Sequence, residues 1–354
     1  MKPFFINGRR VGPQEPVYVI AELSANHNQD FEQAVSIIQA AKQAGANAVK
    51  LQTYTADTIT LRSDREYFRI SGGTLWDGRI LRDLYAEAYT PWEWQPKLKK
   101  VANDLGLDLF SSAFDATAVD FLEKMDVPAH KIASFELVDI PLIENMARTG
   151  KPLILSTGMA SLEEVEEAVN AARAAGAQQI ALLKCTSAYP AKPEEMNLRS
   201  IRALAEKFDL PVGLSDHTMG AVVPVAAVAM GACIVEKHLT TSRRLQGPDS
   251  AFSLEPGEFR EMVDAVRVAS KALGRAEFHA GESEQGSRMF RRSLFVVQDV
   301  RRGDEFTAEN VRSIRPAHGL HPRHFAEILG RHAACDISSG TPLTWELIAG
   351  AKAR

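Results

Sequence analysis

Pro211-Val-Gly-Leu-Ser-Asp-His-Thr218 and Ala232-Cys-Ile-Val-Glu-Lys-His-Leu-Thr240 each run from apolar residues into a histidine, and His217 and His238 stand 21 residues apart. The intervening stretch, Gly220–Gly231, is rich in alanine, valine and methionine and is of helical length. The reading is strand, helix, strand, which carries an imidazole to the same end of two neighbouring parallel strands. Imidazoles placed in that way can share one divalent metal.

The same alternation runs through most of the chain. Short β-branched runs stand at Val17–Ala21, Ala48–Leu51, Leu107–Ser111, His130–Ala133, Pro152–Ser156, Ile180–Lys184, Val212–Ser215 and Cys233–Lys237. Amphipathic segments such as Phe31–Ala44, Leu162–Ala175, Arg199–Phe208 and Glu258–Leu273 separate them. Asp30, and Ser161 with Glu164, have the positions of helix N-caps, and Gly45 and Gly176 those of helix stops. Strands alternating with helices predict a parallel sheet, and eight such units over ~250 residues predict a (β/α)₈ TIM barrel. A doubly wound open sheet is the alternative, but no glycine-rich dinucleotide loop follows the first strand. The segment Thr53–Thr90 is too long for an ordinary connection and reads as a lid or binding loop. Tyr67, Phe68, Leu75, Trp76, Leu81, Leu84 and Tyr85 make it too apolar for disorder. Beyond Leu273 the composition changes, and the predicted division is a barrel over 1–281, a linker at 282–291 and a small, mostly β domain at 292–354. A domain of that size is near the lower limit for folding alone and is expected to dock on its own barrel or on a neighbouring chain.

Composition narrows the functional classes. The 354 residues are 45% hydrophobic and 24% charged, with a formal net charge of -4. That balance gives no electrostatic reason for a nucleic-acid or anionic-membrane partner. The start, Met1-Lys-Pro-Phe-Phe5, lacks the apolar core of a signal peptide, and no apolar run is long enough to span a bilayer. Cys185, Cys233 and Cys335 read as small hydrophobes in a reducing compartment, which places the protein in the cytoplasm.

In a barrel, polar residues where strands finish face a shared pocket. The ends supply Glu22 and Asn26-His-Asn28; Lys50 and Gln52; Ser111, Ser112 and Asp115; Lys131, Ser134 and Glu136; Ser156 and Thr157; Lys184, Thr186, Ser187 and Tyr189; Ser215, Asp216 and His217; and Glu236 and His238. Lysines and small hydroxyls on several strands form a cationic pocket rich in donors, suited to phosphate and carboxylate. Two imidazoles with carboxylates suit a borderline divalent metal that leaves positions for a substrate oxygen. A metal-assisted reaction on a phosphorylated small molecule follows. One histidine at a strand end is more often structural than a ligand, and the matched pair reverses that preference. Trp76 reads equally as packing for the long loop and as contact with an apolar part of a substrate. Arg315 carries little signal alone, because surface arginines are common.

Together the motifs resemble the sialic acid synthase family, which condenses phosphoenolpyruvate with an N-acyl amino sugar. The resemblance covers nearly the whole chain and rests on Ile20-Ala-Glu-Leu-Ser-Ala-Asn-His-Asn28, Val49-Lys-Leu-Gln52, Lys131-Ile-Ala-Ser134, Ser156-Thr-Gly-Met159, Lys184-Cys-Thr-Ser-Ala-Tyr-Pro190, Ser215-Asp-His-Thr218, Glu236-Lys-His238 and Gly247-Pro-Asp249. Arg302-Gly-Asp304 and Ile314-Arg-Pro316 resemble the antifreeze-like (SAF) domain that follows the barrel in this family. The resemblance implies that His217 and His238 bind the metal, Mn²⁺ in the first place with Mg²⁺ or Co²⁺ as alternatives. It implies that Lys50, Ser112, Lys131, Ser134, Ser156 and Ser215 hold phosphoenolpyruvate, and that Glu22, Gln52, Tyr189 and Asp249 position the sugar. It further implies a domain-swapped homodimer in which Arg315 completes the partner's site.

Two departures matter. Ser24-Ala-Asn-His27 replaces the usual Gly-x-Asn-His, and Ser187 stands at the sugar-contacting position where the sialic type has asparagine. With Gly72-Gly-Thr-Leu-Trp-Asp-Gly-Arg79 and Thr90-Pro-Trp-Glu-Trp94, this looks like the pseudaminic acid synthase branch. Its sugar is a 2,4-diacetamido-2,4,6-trideoxy-altrose, which lacks the 6-hydroxyl. N-acetylneuraminate or legionaminate synthase is the alternative within the class. A barrel aldolase or lyase that does not use phosphoenolpyruvate, and a non-catalytic sugar-phosphate binding protein, are the alternatives outside it.

Overall fold

The computed structural model describes residues 4–278 and 281–351. Two compact units divide the chain, Met1–Gly274 and Arg275–Arg354. The first opens with a hairpin, β1 (Phe4–Ile6) and β2 (Arg9–Val11), whose turn is Asn7-Gly8 with φ of 49° and 76°. An Asn-Gly pair between apolar residues is a strong hairpin signal, because both central positions need positive φ.

Eight parallel strands then close into a barrel in the order β10-β3-β4-β5-β6-β7-β8-β9. They are β3 (Tyr18–Glu22), β4 (Ala48–Thr53), β5 (Asp108–Ala113), β6 (His130–Ile132), β7 (Leu153–Ser156), β8 (Ile180–Cys185), β9 (Val212–Asp216) and β10 (Ile234–His238). The barrel is the one expected. Closure pairs β10 with β3, bringing His238 opposite Glu22, and β3 with β4, bringing Glu22 opposite Lys50. The helix signals act as read: Asp30 accepts the N–H groups of Glu32 and Gln33, and Ser161 and Glu164 form a reciprocal capping box.

Gly213 shows how tightly β8, β9 and β10 approach. A Cβ there would lie 2.5 Å from the Ile234 carbonyl oxygen, 2.6 Å from Ile234 Cβ and 2.7 Å from Leu183 Cδ2. Outside the barrel wall, Lys237 Nζ sits 2.5 Å from Asp216 Oδ2 and donates to the Thr218 carbonyl, with Lys237 fully buried.

The long segment after β4 is ordered. It contains helices Ala56–Ile59 and Leu81–Ala88, and Arg69 and Ile80 pair as an antiparallel bridge between them.

The second unit has its own apolar cluster, with Leu294, Val296, Phe306, Val311 and Leu343 at its centre. Its sheet is β11 (Ser293–Val296) paired antiparallel with β12 (Val311–Ile314). Within residues 282–291, read as a linker, the chain forms helical turns at Glu282–Gln285 and Gly286–Phe290. Among the described residues, no helix is long and apolar enough to cross a membrane.

Gly213→Ala should lower barrel stability by about 1–3 kcal/mol, because the added methyl meets backbone that cannot yield. Thermal and denaturant unfolding of the full chain check this, and an unchanged midpoint would contradict the close approach.

Candidate active site

Alternation along each strand decides which side chains enter the barrel mouth. β9 and β10 are registered with Ser215 opposite Glu236 and Asp216 opposite Lys237. Ser215, His217, Glu236 and His238 therefore face inward, while Asp216 and Lys237 face the helices and hold each other there.

Inside, Lys50 Nζ lies 2.7 Å from Glu22 Oε2 and 3.6 Å from Glu236 Oε1, and donates to Ser112 Oγ at 3.2 Å. Lys131 Nζ donates to Ser156 Oγ and to the Ile132 carbonyl, both at 2.6 Å. Ser215 Oγ donates to Glu236 Oε1 at 3.2 Å. Glu22, Lys50 and Lys131 are 1%, 4% and 1% exposed. Charges so deeply buried persist only where partners offset the lost hydration.

The two carboxylates beside Lys50 do not titrate alike. Burial opposes ionisation of both, but Glu236 is drawn down by Lys50, Lys131 and His217 and stays ionised. Burial pushes Glu22 up to about 7 against the pull of Lys50, with Glu236 adding to the rise. Burial also brings Lys131 down to about 8, partly offset by Glu236.

Next to these cations the backbone of Gly158 donates its N–H to Ser134 Oγ at 3.1 Å. A Cβ on Gly158 would collide with the hydroxyls of Ser134 and Ser187. Glycine at that position lets a main-chain donor approach the hydroxyls closely. Lys50, Lys131, Ser112, Ser134, Ser156 and Ser215 thus form one donor-rich cluster whose chemistry suits a small, highly charged anion.

A different surface lies beside it. Gln52 Nε2 donates to Glu22 Oε1 at 3.1 Å and to Ser24 Oγ at 2.9 Å. Ser24 donates to Asp249 Oδ2, which also accepts the Ala25 N–H at 3.2 Å. The Tyr189 ring lies 4.3 Å from the His217 ring and 5.0 Å from Phe252, and the two imidazole centroids are 5.4 Å apart. Gln52, Tyr189, His238 and Asp249 line a cavity of ≈ 490 Å³ that Trp76 and other residues of the long segment cover. The Trp76 indole N–H donates to the Pro248 carbonyl at 3.2 Å.

The histidines suit a metal. His217 Nδ1 lies 2.9 Å from the Thr186 carbonyl, which holds a proton on that nitrogen, so Nε2 carries the lone pair whenever the ring gives up its second proton. Burial opposes the charged ring, but contacts with Cys185 and Thr186 raise it above the ordinary imidazole range. His238 Nδ1 is buried with no hydrogen-bond partner, and burial with the charges of His217 and Lys50 holds this ring neutral. Among the described residues, no three His, Cys, Asp or Glu side chains converge in metal-holding geometry. The protein thus offers two imidazoles, and further ligands would come from substrate or water.

Glu22, Lys50, Gln52, Ser112, Lys131, Ser134, Ser156, Ser187, Tyr189, Ser215, His217, His238 and Asp249 all stand at this end of the barrel. Arg315 belongs to the second unit, where it is exposed. Several strand-end residues read as pocket residues do something else. Asp216 pairs with Lys237 outside the barrel. Lys184 Nζ donates to the Cys185 carbonyl at 2.6 Å and lines a separate hollow between helices Leu162–Ala174 and Arg199–Phe208. Asp115 caps helix Ala116–Lys124. Asn26 donates to the Leu239 carbonyl and Ser253, and Asn28 to the Leu245 carbonyl, so they tie loops together. His27 Nδ1 accepts the Gln29 N–H at 3.0 Å, so its Nε2–H faces Thr90 Oγ1 at 3.2 Å. Burial lowers this imidazole to about 4, and it stays neutral.

Cys185 is buried as expected, but it faces the site. Its Sγ lies 3.9 Å from His217 Nδ1, and hydrogen bonds from His217, Ser134 and Ser187 outweigh burial and bring the thiol to about 7. Glu136 carries more than its place at a strand end announced. It lines the cavity, its Oε2 is buried without a partner, and burial pushes it up to about 7. Phe252 packs against both imidazole rings, and nothing in its sequence neighbourhood signals that place.

Along most of its length the chain is similar to known proteins. The NeuB family model matches residues 37–278 and the SAF domain model residues 291–349. A pseudaminic acid synthase of Campylobacter jejuni is 46% identical over 92% of this chain and 95% of its own length. One from Helicobacter pylori is 45% identical over 93% and 97%. The crystal structure of an N-acetylneuraminic acid synthetase from Leptospira borgpetersenii, in complex with citrate, superposes with a TM-score of 0.72 at 32% identity, covering 81% of this chain and 95% of that one.

Sulfate, a dianion at any neutral pH, should bind the Lys50–Lys131 cluster with an affinity that falls as pH rises through about 8, where Lys131 loses its proton. Well above that pH the slope approaches about tenfold per unit. Lys131→Met should abolish this step while keeping a shallower change near 7 from Glu22. Calorimetric titration across pH 6–9.5 measures both, and a wild-type affinity independent of pH would contradict the assignment.

Proposed function

This chain belongs to the NeuB family, and we propose that it is a pseudaminic acid synthase. In that reading it condenses phosphoenolpyruvate with 2,4-diacetamido-2,4,6-trideoxy-β-L-altropyranose and water, giving pseudaminic acid and phosphate. The observation that carries the reading is the adjacency of two unlike half-sites. Lys50 and Lys131, each hydrogen-bonded to a serine, make a buried cationic cluster suited to an anion, and beside it His238 of the imidazole pair lines a polyol-sized cavity. Identity of 46% with the Campylobacter enzyme over nearly all of both chains supports the pseudaminic branch over the sialic one, where the structural relative stands at 32%.

Each residue has a task. Lys50, Lys131, Ser112, Ser134, Ser156 and Ser215 hold the phosphate and carboxylate of phosphoenolpyruvate. Gln52, Tyr189 and Asp249 orient the open-chain sugar, with Ser187 at the border between the two. A divalent ion held by His217 and His238, Mn²⁺ above Mg²⁺ or Co²⁺, would supply Lewis acidity to a carbonyl oxygen. C3 of phosphoenolpyruvate bonds to the sugar aldehyde carbon, and the resulting cation at C2 takes up water. The C–O bond to phosphate then breaks, leaving the nine-carbon 2-keto acid. Glu22, poised near 7, can accept a proton from that water at pH 7 and return it. The SAF domain is read as reaching across a homodimer so that Arg315 completes the partner's site. The absence of a membrane-crossing helix among the described residues is compatible with the cytoplasm, where phosphoenolpyruvate is made.

Purified enzyme with phosphoenolpyruvate, Mn²⁺ and each candidate amino sugar should release phosphate fastest with the diacetamido trideoxy altrose. Absence of phosphate release with every sugar would favour the aldolase reading. His217→Ala and His238→Ala should each lose metal-dependent turnover. ¹⁸O placed in the bridging oxygen of phosphoenolpyruvate should emerge in phosphate, and its appearance in the keto acid would refute C–O cleavage.

The crossing of the tail is checked by a mixed dimer of Arg315→Ala and His238→Ala subunits. If the tail crosses, one site is intact and about half the wild-type rate returns. If each tail serves its own barrel, the mixed dimer is inactive.

A further inference from the structure

The 490 Å³ cavity has two unlike walls. The barrel side carries the polar groups Gln52, Asp249 and His238, set among carbon from Phe114, Ala133 and Phe252. The wall supplied by the segment after β4 is mostly carbon: Ile59, Ile70, Trp76, Leu81 and Leu84 face the space. Its polar atoms are largely engaged elsewhere. The Trp76 N–H is bonded to the Pro248 carbonyl, so the indole offers the cavity its ring. The Thr74 hydroxyl donates to Asp77 at 2.7 Å and accepts the Trp76 backbone N–H at 3.2 Å. Tyr54 and Tyr85, stacked edge to ring at 5.6 Å, are the phenols of this wall, and Tyr85 lies toward Glu136. Of the five carbon residues only Leu84 is fully buried in the protein. The others are half-buried and line the cavity.

We infer that Ile70, Trp76 and Leu81 form the specificity wall of this enzyme, and that the wall selects a sugar whose terminal carbon is a methyl rather than a hydroxymethyl. The inference rests on the pseudaminic acid synthase reading and assigns it residues. A hydroxyl pressed against the side chains of Ile70 and Leu81 or the ring of Trp76, away from the phenols and Glu136, leaves water and finds no partner on them, whereas a methyl gains contact at no such cost. Selection by exclusion is modest, because a carbon wall rejects one added hydroxyl by about a hundredfold at most. The roles of the Trp76 edges separate cleanly: the N–H latches the segment to Pro248, and the ring face does the selecting.

The test is a matched pair of sugars, 2,4-diacetamido-2,4,6-trideoxy-altrose and its 6-hydroxy counterpart, each assayed by phosphate release. The wild-type ratio of kcat/KM should favour the deoxy sugar by about ten- to a hundredfold. Ile70→Thr and Leu81→Gln should pull the ratio toward one. The ratio does not depend on what fraction of a variant folds, so a poorly folded preparation still reports. Trp76→Phe keeps a ring and loses the latch, so KM should rise for both sugars with the ratio retained. A wild-type ratio near one, or a ratio unchanged in both Ile70→Thr and Leu81→Gln, overturns the wall. Turnover of neither sugar overturns the pseudaminic reading itself, and is thus distinguished from failure of the wall.

Discussion

Two lysines and two glutamates buried at one end of a barrel are the constraint on which the rest depends. Lys50 shares its charge between Glu22 and Glu236, and Lys131 is held by a serine and a carbonyl while attracted to Glu236 from further off. Such a set is costly in a medium of low dielectric unless it is nearly neutral. With Glu236 ionised and Glu22 titrating near 7, the cluster sits between one and no excess positive charges, close to the neutrality that burial demands. The barrel makes this affordable by geometry. Parallel strands deliver side chains from Glu22, Lys50, Lys131 and Glu236 to one end of the barrel, each on a separate strand, so no single element carries the whole penalty.

The same alternation separates permanent pairs from working ones. Lys237 and Asp216 stand in register on neighbouring strands and point outward, where their hydrogen bonds are complete and no solvent reaches the lysine. One residue either side, Ser215, His217, Glu236 and His238 point inward, and there His238 Nδ1 has no partner. On these two strands the outward charges are paired, and an inward imidazole nitrogen is left open to a ligand.

The barrel, its caps and the contributing strands were legible because period-2 and period-3.6 patterns are written locally. What sequence reading mistook was parity. Counting every polar residue near a strand end placed Asp216 and Lys184 in the pocket, although Ser215 and His217 cannot point inward if Asp216 does. The Asn7-Gly8 turn was equally visible and identifies the opening hairpin. Other features had no local trace. Phe252 reaches the imidazoles through tertiary packing, and the pairing of Ser24 with Asp249 spans most of the barrel's sequence. His27 looked like a site residue because it follows a strand, yet both ring nitrogens are used in holding the chain at Gln29 and Thr90.

The two walls of the cavity carry different kinds of information. Polar groups on strands, fixed by barrel hydrogen bonding, can hold charge and geometry to within the tolerance that bond making demands. The segment after β4 hangs from fewer anchors, among them the Trp76–Pro248 bond and Gln29 bonded to the carbonyls of Glu87 and Tyr89. A wall so mounted can change its side chains without disturbing the lysine–glutamate cluster beneath it. Chemistry common to a family therefore belongs on the strands, and the difference between one amino sugar and another on the segment above them. That division explains why Lys50, Lys131 and the two histidines read as a general chemistry of phosphoenolpyruvate and sugar, while the choice of sugar waits on Ile70, Trp76 and Leu81.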